Sequence, residues 1–157
     1  MIDRSKKLPA FFYESGLGNR PVREWLLGLT LEDRKQVGRD IQKVEFGWPL
    51  GMPYCRSLGD GLWEVRSDLT DGRIGRVIFC VARERMVLLH GFVKKTQKTP
   101  AQDLRLALKR MLAEGVILAP RVLQEWVGST VTPGTPTDDS GGSRHPRNQL
   151  PFKRLIT

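Results

Sequence analysis

Two apolar runs, RIGRVIFCVA (73–82) and MVLLHGFV (86–93), are joined by the short segment RERM. From 77 to 82 and from 86 to 93, large apolar side chains stand at both odd and even positions. A strand that exposes one face to water alternates apolar with polar residues; these two do not. They are therefore expected as central strands covered on both faces. If RERM is a tight turn, they run antiparallel, and the end of the second returns beside the start of the first.

The rest of the chain up to about residue 115 supplies elements to build around that pair. PAFFYE (9–14) reads as a short strand with Pro9 at its start, where the missing N–H does least harm. Asn19 is positioned to cap a helix from Arg20, with Pro21 in the first turn and Val22, Trp25, Leu26 and Leu29 as its apolar face. Thr30 is positioned to cap a second, with Val37, Ile41 and Val44 recurring at helical spacing. The Gly and Pro residues of FGWPLGMP mark a loop. LWEVRSDL (62–69) alternates as a strand should, and TDG (70–72) is a hairpin signal before residue 73. A last helix has Thr99 as expected N-cap, Pro100 at N1, Gln102 completing a capping box and Gly115 at the far end. Its buried stripe is expected from Leu104, Ala107, Leu108, Met111 and Leu112. The expected order is β-α-α-β-β-β-α, an α+β domain over residues 1–115. Residues 116–157 form a C-terminal extension. The stretch 128–149 is so rich in Gly, Pro, Ser and Thr that it reads as disordered. VILAPRVLQEWV (116–127) and LPFKRLIT (150–157) are short apolar segments suited to docking on the domain.

The net charge is +9, which favours a polyanionic partner without choosing among nucleic acid, acidic protein and anionic membrane surface. No run approaches the roughly 18 apolar residues of a membrane span, and the N-terminus lacks a secretory h-region. Cys55 and Cys80 are far apart with no CxxC spacing, so they read as reduced thiols of a cytoplasmic protein. His90 and His145 bring no metal-ligand spacing, and neither metal nor cofactor is expected. Trp25, Trp48 and Trp63 read as core or edge anchors rather than base-stacking platforms.

Basic residues cluster near strand ends: Arg66, Arg73 and Arg76 on the hairpin, then Lys94, Lys95 and Lys98 in HGFVKKTQKTPAQ (90–102). The antiparallel order is expected to bring all six to one end of the sheet, where the last helix begins. Cations crowded before a helix N-terminus repel its partial positive charge. A bound phosphate would relieve that repulsion and meet the helix's free N–H groups. Arg76 is the most telling, because an unpaired guanidinium within an apolar strand needs a carboxylate or a ligand. Arg66 has alternative partners in Glu64 and Asp68, and His90 also fits a satisfied core histidine.

LWEVRSD, GRIGRVIFCV and above all VLLHGFVKKTQKTPAQDLRLALKRM resemble the Gp49-like branch of the RelE/HigB toxin superfamily over about residues 8–115. The resemblance implies a small domain with helices packed on a curved, mainly antiparallel sheet, acting as the toxin of a type II toxin–antitoxin pair. It implies an endoribonuclease that cuts mRNA in the ribosomal A site. The implied partner is a cognate antitoxin, often of helix-turn-helix type. Arg76, Lys94 and Lys95 match the family's basic positions, and Arg66 and Arg73 match more loosely. The chain lacks the terminal tyrosine of the RelE type; its final helix stands in that place. On this reading Arg76 and Arg73 stabilise transition-state charge, Lys94 or Lys95 transfers a proton, Arg66 and Lys98 anchor the RNA backbone, and His90 is an outside candidate for RNA contact or proton transfer. The rival readings are a non-catalytic nucleic-acid-binding module and an inactive toxin relic.

Overall fold

In the computed structural model, which describes residues 5–94 and 99–115, the two apolar runs are the centre of a five-stranded mixed sheet. The strands are β1 (Ala10–Phe12), β2 (Cys55–Gly59), β3 (Leu62–Asp68), β4 (Ile74–Ala82) and β5 (Arg85–Lys94), in the spatial order β1-β5-β4-β3-β2. Only the β1–β5 pair is parallel. Helices α1 (Pro21–Leu27) and α2 (Leu31–Gly47) cover one face and α3 (Ala101–Ala113) the other.

The double-sided apolar pattern is explained by two cores. Val77, Phe79, Met86 and Leu88 pack under α1 and α2 with Leu26, Val37, Ile41 and Val44. Ile78, Cys80, Val87 and Leu89 pack under α3 with Ala107, Leu108 and Met111. Trp48 meets Trp63 edge-to-face at 4.9 Å between ring centres. Trp25 lies over Gly75 and Gly91; a Cβ on Gly91 would stand 2.4 Å from the Trp25 ring. Glycine there is a matter of space. Both cysteines are buried and free.

The turns follow from sequence chemistry. RERM is a two-residue turn in which Arg83 and Glu84 both take positive φ, matching the right-handed twist of the strands it joins. Asp60–Gly61 makes the equivalent turn between β2 and β3. TDG does connect β3 to β4, as a short 3₁₀ turn closed by Leu69 N–H on Arg73 O at 2.8 Å.

Three local expectations are corrected. β2 was not foreseen, because CRSLG has neither clear alternation nor a long apolar run; it forms as a short edge strand against β3. α1 starts at Pro21 with Arg20 at the cap position and no side-chain cap, so Asn19 is not its cap. Thr99 is not the cap of α3 either. Pro100 takes that position, and the Thr99 hydroxyl is used elsewhere. The Thr30 cap is as expected, accepting from Asp33 N–H at 3.2 Å. Gly115, with φ +79°, follows α3 as a C-terminal glycine should. The extension from 116 onward lies outside the described residues.

Candidate nucleic-acid interface

The site is built by register. Antiparallel pairing sets Arg66 opposite Arg76 and Arg76 opposite Phe92, giving one row across β3, β4 and β5. One step towards the sheet centre, Arg56 stands opposite Glu64, Glu64 opposite Ile78 and Ile78 opposite His90. One step outward, Lys94 pairs with Ile74. Ile78 faces α3, so strand alternation puts Arg76, Glu64, Arg66, Arg56 and Lys94 on that same face.

A bulge makes this possible. The β4–β5 register shifts between Ile78 and Phe79, leaving Leu89 unpaired. Leu88 packs under α1 and α2, yet His90, two residues on, points to the opposite face. An inserted residue reverses the parity of everything that follows. Without it, His90, Phe92 and Lys94 would face the other helices.

Glu64 is the hub of the site. Its carboxylate is 0% exposed and the Arg76 side chain 9%. Arg76 Nη1 donates to Glu64 Oε1 in an ion pair. Arg56 Nη2 reaches the same oxygen at 3.2 Å, and the Thr99 hydroxyl donates to Oε2 at 2.7 Å. One buried carboxylate thus ties together β2, β3, β4 and the approach to α3. Arg76 is not fully satisfied by this: its buried Nε–H has no hydrogen-bond partner among the described residues. Burial lowers the Lys94 pKa, and Arg76, Arg56 and Arg66 lower it further, against the opposing effect of Glu64. Among the described residues Arg66 makes only a solvent-exposed 3.7 Å contact with Asp68, a pair of little energetic consequence. A cavity of about 130 Å³ opens at this row, with Arg56, Glu64, Arg66, Arg76 and Tyr54 in its wall.

The expected convergence of all six cations is therefore only partly realised. Arg66, Arg76 and Lys94 are brought together. Arg73 is not: its guanidinium turns to the α2 side, 2.5 Å from the buried Asp33 carboxylate, which also accepts from Thr70 N–H at 2.9 Å and its hydroxyl at 3.1 Å. Hydrogen bonding from the Thr70 backbone, followed by the Thr70 hydroxyl and Arg73, holds Asp33 below the usual carboxylate pKa against the cost of burial. Arg73 is occupied as a structural clamp. Lys95 and Lys98 lie outside the described residues. His90 shares the Arg76 face, but both its ring nitrogens are engaged. Arg110 Nη1 donates to Nδ1 at 3.3 Å, so the proton sits on Nε2, which donates to Asp103 at 2.6 Å. Burial, with help from Arg110, depresses the His90 pKa despite Asp103. Its ring stacks on Phe92 at 5.4 Å. Asp103 stands in the first turn of α3, so that positive helix end already has a carboxylate beside it.

Arg56 and Tyr54 were missed as site residues, and Glu64 was read only as a possible partner of Arg66. The signal for the strand was GDG at 59–61, a hairpin turn, but in unbroken register that turn would set Ser57 opposite Glu64; the irregularity between Ser57 and Gly59 is what brings Arg56 there. Among the described residues, no group of three or more His, Cys, Asp and Glu side chains is placed to hold a metal ion.

Residues 24–112, more than half of the chain and including the whole cationic row, match the family described as Phage derived protein Gp49-like (DUF891). The chain belongs to the Gp49-like family. This family is a RelE/HigB-like toxin branch, and the three helices and open five-stranded sheet agree with a RelE-like fold. Gp49-like membership gives the chain a toxin–antitoxin setting, with an antitoxin as partner. No curated protein matches the chain. Among the described residues no helix is long and apolar enough to cross a membrane.

Proposed function

We propose that this Gp49-like toxin is an mRNA endoribonuclease, acting on ribosome-bound message in the cytoplasm and held in check by a cognate antitoxin. The observation that carries the reading is Arg76, a buried guanidinium at a cavity wall whose Nε–H has no partner among the described residues. A partly satisfied buried cation is a built anion ligand, and a phosphodiester is the anion that the surrounding row of Arg56, Arg66 and Lys94 fits.

In the reaction, the ribose O2′ forms a bond to the adjacent phosphorus and the P–O5′ bond breaks. The charge that builds on the phosphoryl oxygens falls to Arg76, with Arg56 beside it. Lys94, its pKa lowered by its setting, takes the 2′-hydroxyl proton in its neutral form. The leaving O5′ takes a proton from a second donor, for which Lys95 is the sequence candidate. Arg66, and Lys98 by sequence position, anchor the backbone. Arg73 has no part in these steps because Asp33 holds it.

A second reading, binding without cleavage, draws on one observation: His90 has both ring nitrogens engaged, so no free imidazole stands in the row. Induced expression separates the two. Cleavage predicts growth arrest with new mRNA 5′ ends, mapped with and without ribosomes, both lost in Arg76→Ala with a native circular dichroism spectrum. Growth arrest without new 5′ ends would favour binding alone, and a folded, fully toxic Arg76→Ala would remove Arg76 from the site.

A further inference from the structure

The turn that leads into β2 is not used by the reaction just described. Met52 is 69% exposed and Tyr54 44%, yet the turn that carries them is tied down from below. Tyr54 N–H donates to Gly51 O at 3.1 Å and Cys55 N–H to the same carbonyl at 3.3 Å. The buried Cys55 thiol donates to Leu50 O at 2.9 Å. An aromatic ring is thus held in water on a preorganised turn, beside the Arg56–Arg66–Arg76 row.

This turn borders two cavities, which share Met52, Pro53, Tyr54 and Arg66 in their walls and so adjoin across it. Their charges differ. The first, of about 130 Å³, has three arginines against the single carboxylate of Glu64. The second, of about 370 Å³, sets Lys43 and Arg66 against Asp40 and Asp68, with the Gln36 amide alongside. A phosphate gains in the first and nothing in the second. A flat, uncharged heterocycle with N–H donors has the opposite preference.

We propose that a ribonucleotide held by its phosphate in the first cavity lays its base in the second, stacked on Tyr54. This rests on the RNA reading above. Stacking on an aromatic side chain is the usual way a single-stranded base is held. The acceptors select among bases. Among the described residues, Asp68 is engaged only by the weak Arg66 contact. Asp40 accepts from Gln36 at 3.2 Å and Lys43 at 3.4 Å, and a carboxylate has about four acceptor positions in all. Carboxylates favour a base with an exocyclic amino group, such as cytosine or adenine, over uracil, whose one donor on that edge, N3–H, is flanked by two carbonyl oxygens.

The test is fluorescence anisotropy with short labelled oligonucleotides of uniform C, A or U. They carry 2′-O-methyl groups, so the attacking hydroxyl is absent. The full chain is expected to bind C and A more tightly than U. Tyr54→Ala should weaken C and A binding about 5- to 100-fold, and Tyr54→Phe should retain it. Neither should change the salt slope, since no charge is lost. Asp40→Asn combined with Asp68→Asn should narrow the gap between C and U. Wild-type affinity in folded Tyr54→Ala, with steep salt dependence intact, overturns the base subsite and leaves the RNA reading standing. Equal affinity of the wild type for C and U overturns the base preference. Absence of salt-dependent binding to every oligonucleotide overturns both the subsite and the RNA reading.

Discussion

Replacing Glu64 by Gln keeps the shape of the hub and removes only its charge. The cost can be worked partner by partner. Arg56 is 43% exposed and can turn its guanidinium to water at little loss. The Thr99 hydroxyl can donate to the amide oxygen instead. Arg76 has neither escape, because it is buried on the α3 side of the sheet and its Nε–H already has no partner among the described residues. Removing one partner of a buried ion pair typically costs about 3–5 kcal/mol, most of it from the charge left behind. With one of the two arginines able to relax, Glu64→Gln should fall near the lower end, about 3 kcal/mol. Urea unfolding followed by tryptophan fluorescence reads this directly. At a slope of roughly 1.5 kcal/mol per molar, the midpoint should drop by about 2 M. Adding Arg76→Met to Glu64→Gln removes the stranded charge, so the double variant should recover much of the loss. The double-mutant cycle should give a coupling of at least about 2 kcal/mol. A Glu64→Gln protein within about 0.5 kcal/mol of wild type, or a coupling near zero, would refute the hub.

Gly91→Ala drives a methyl into the Trp25 ring and should cost about 1–3 kcal/mol through overpacking, seen as a lower thermal midpoint; Gly16→Ala, with nothing within 4 Å, should leave it unchanged. Asp33 has a folded pKa below its ordinary value of 3.8, so it contributes stability that is fully present above that value and is lost as pH falls through the folded pKa. Asp33→Asn should therefore lower stability at neutral pH and flatten its decline under acid, measured by urea midpoints across that range. His90 has a folded pKa below its ordinary 6.5: its contribution is present above that value and declines as pH falls towards the folded pKa. His90→Gln should remove that part of the pH dependence between neutral and mildly acidic conditions.

Sequence was enough for elements whose signal is local. Periodicity of Val37, Ile41 and Val44, the Thr30 cap, the RERM turn and the two-sided grease of β4 and β5 are each written within a few residues, because backbone preference and side-chain alternation act at that range. It also singled out Arg76, since a guanidinium in an apolar strand demands a partner wherever the strand goes. It could not name that partner, or say that Arg73 leaves the row for Asp33, 40 positions away. Nor could it show that Lys94 faces Arg76, because that depends on the bulge at Leu89. A register shift turns on how two strands pack against helices on both sides, and no single strand's sequence carries it. Residue identity determined which charges this chain possesses; only the pairing of distant strands decided which of them share a face.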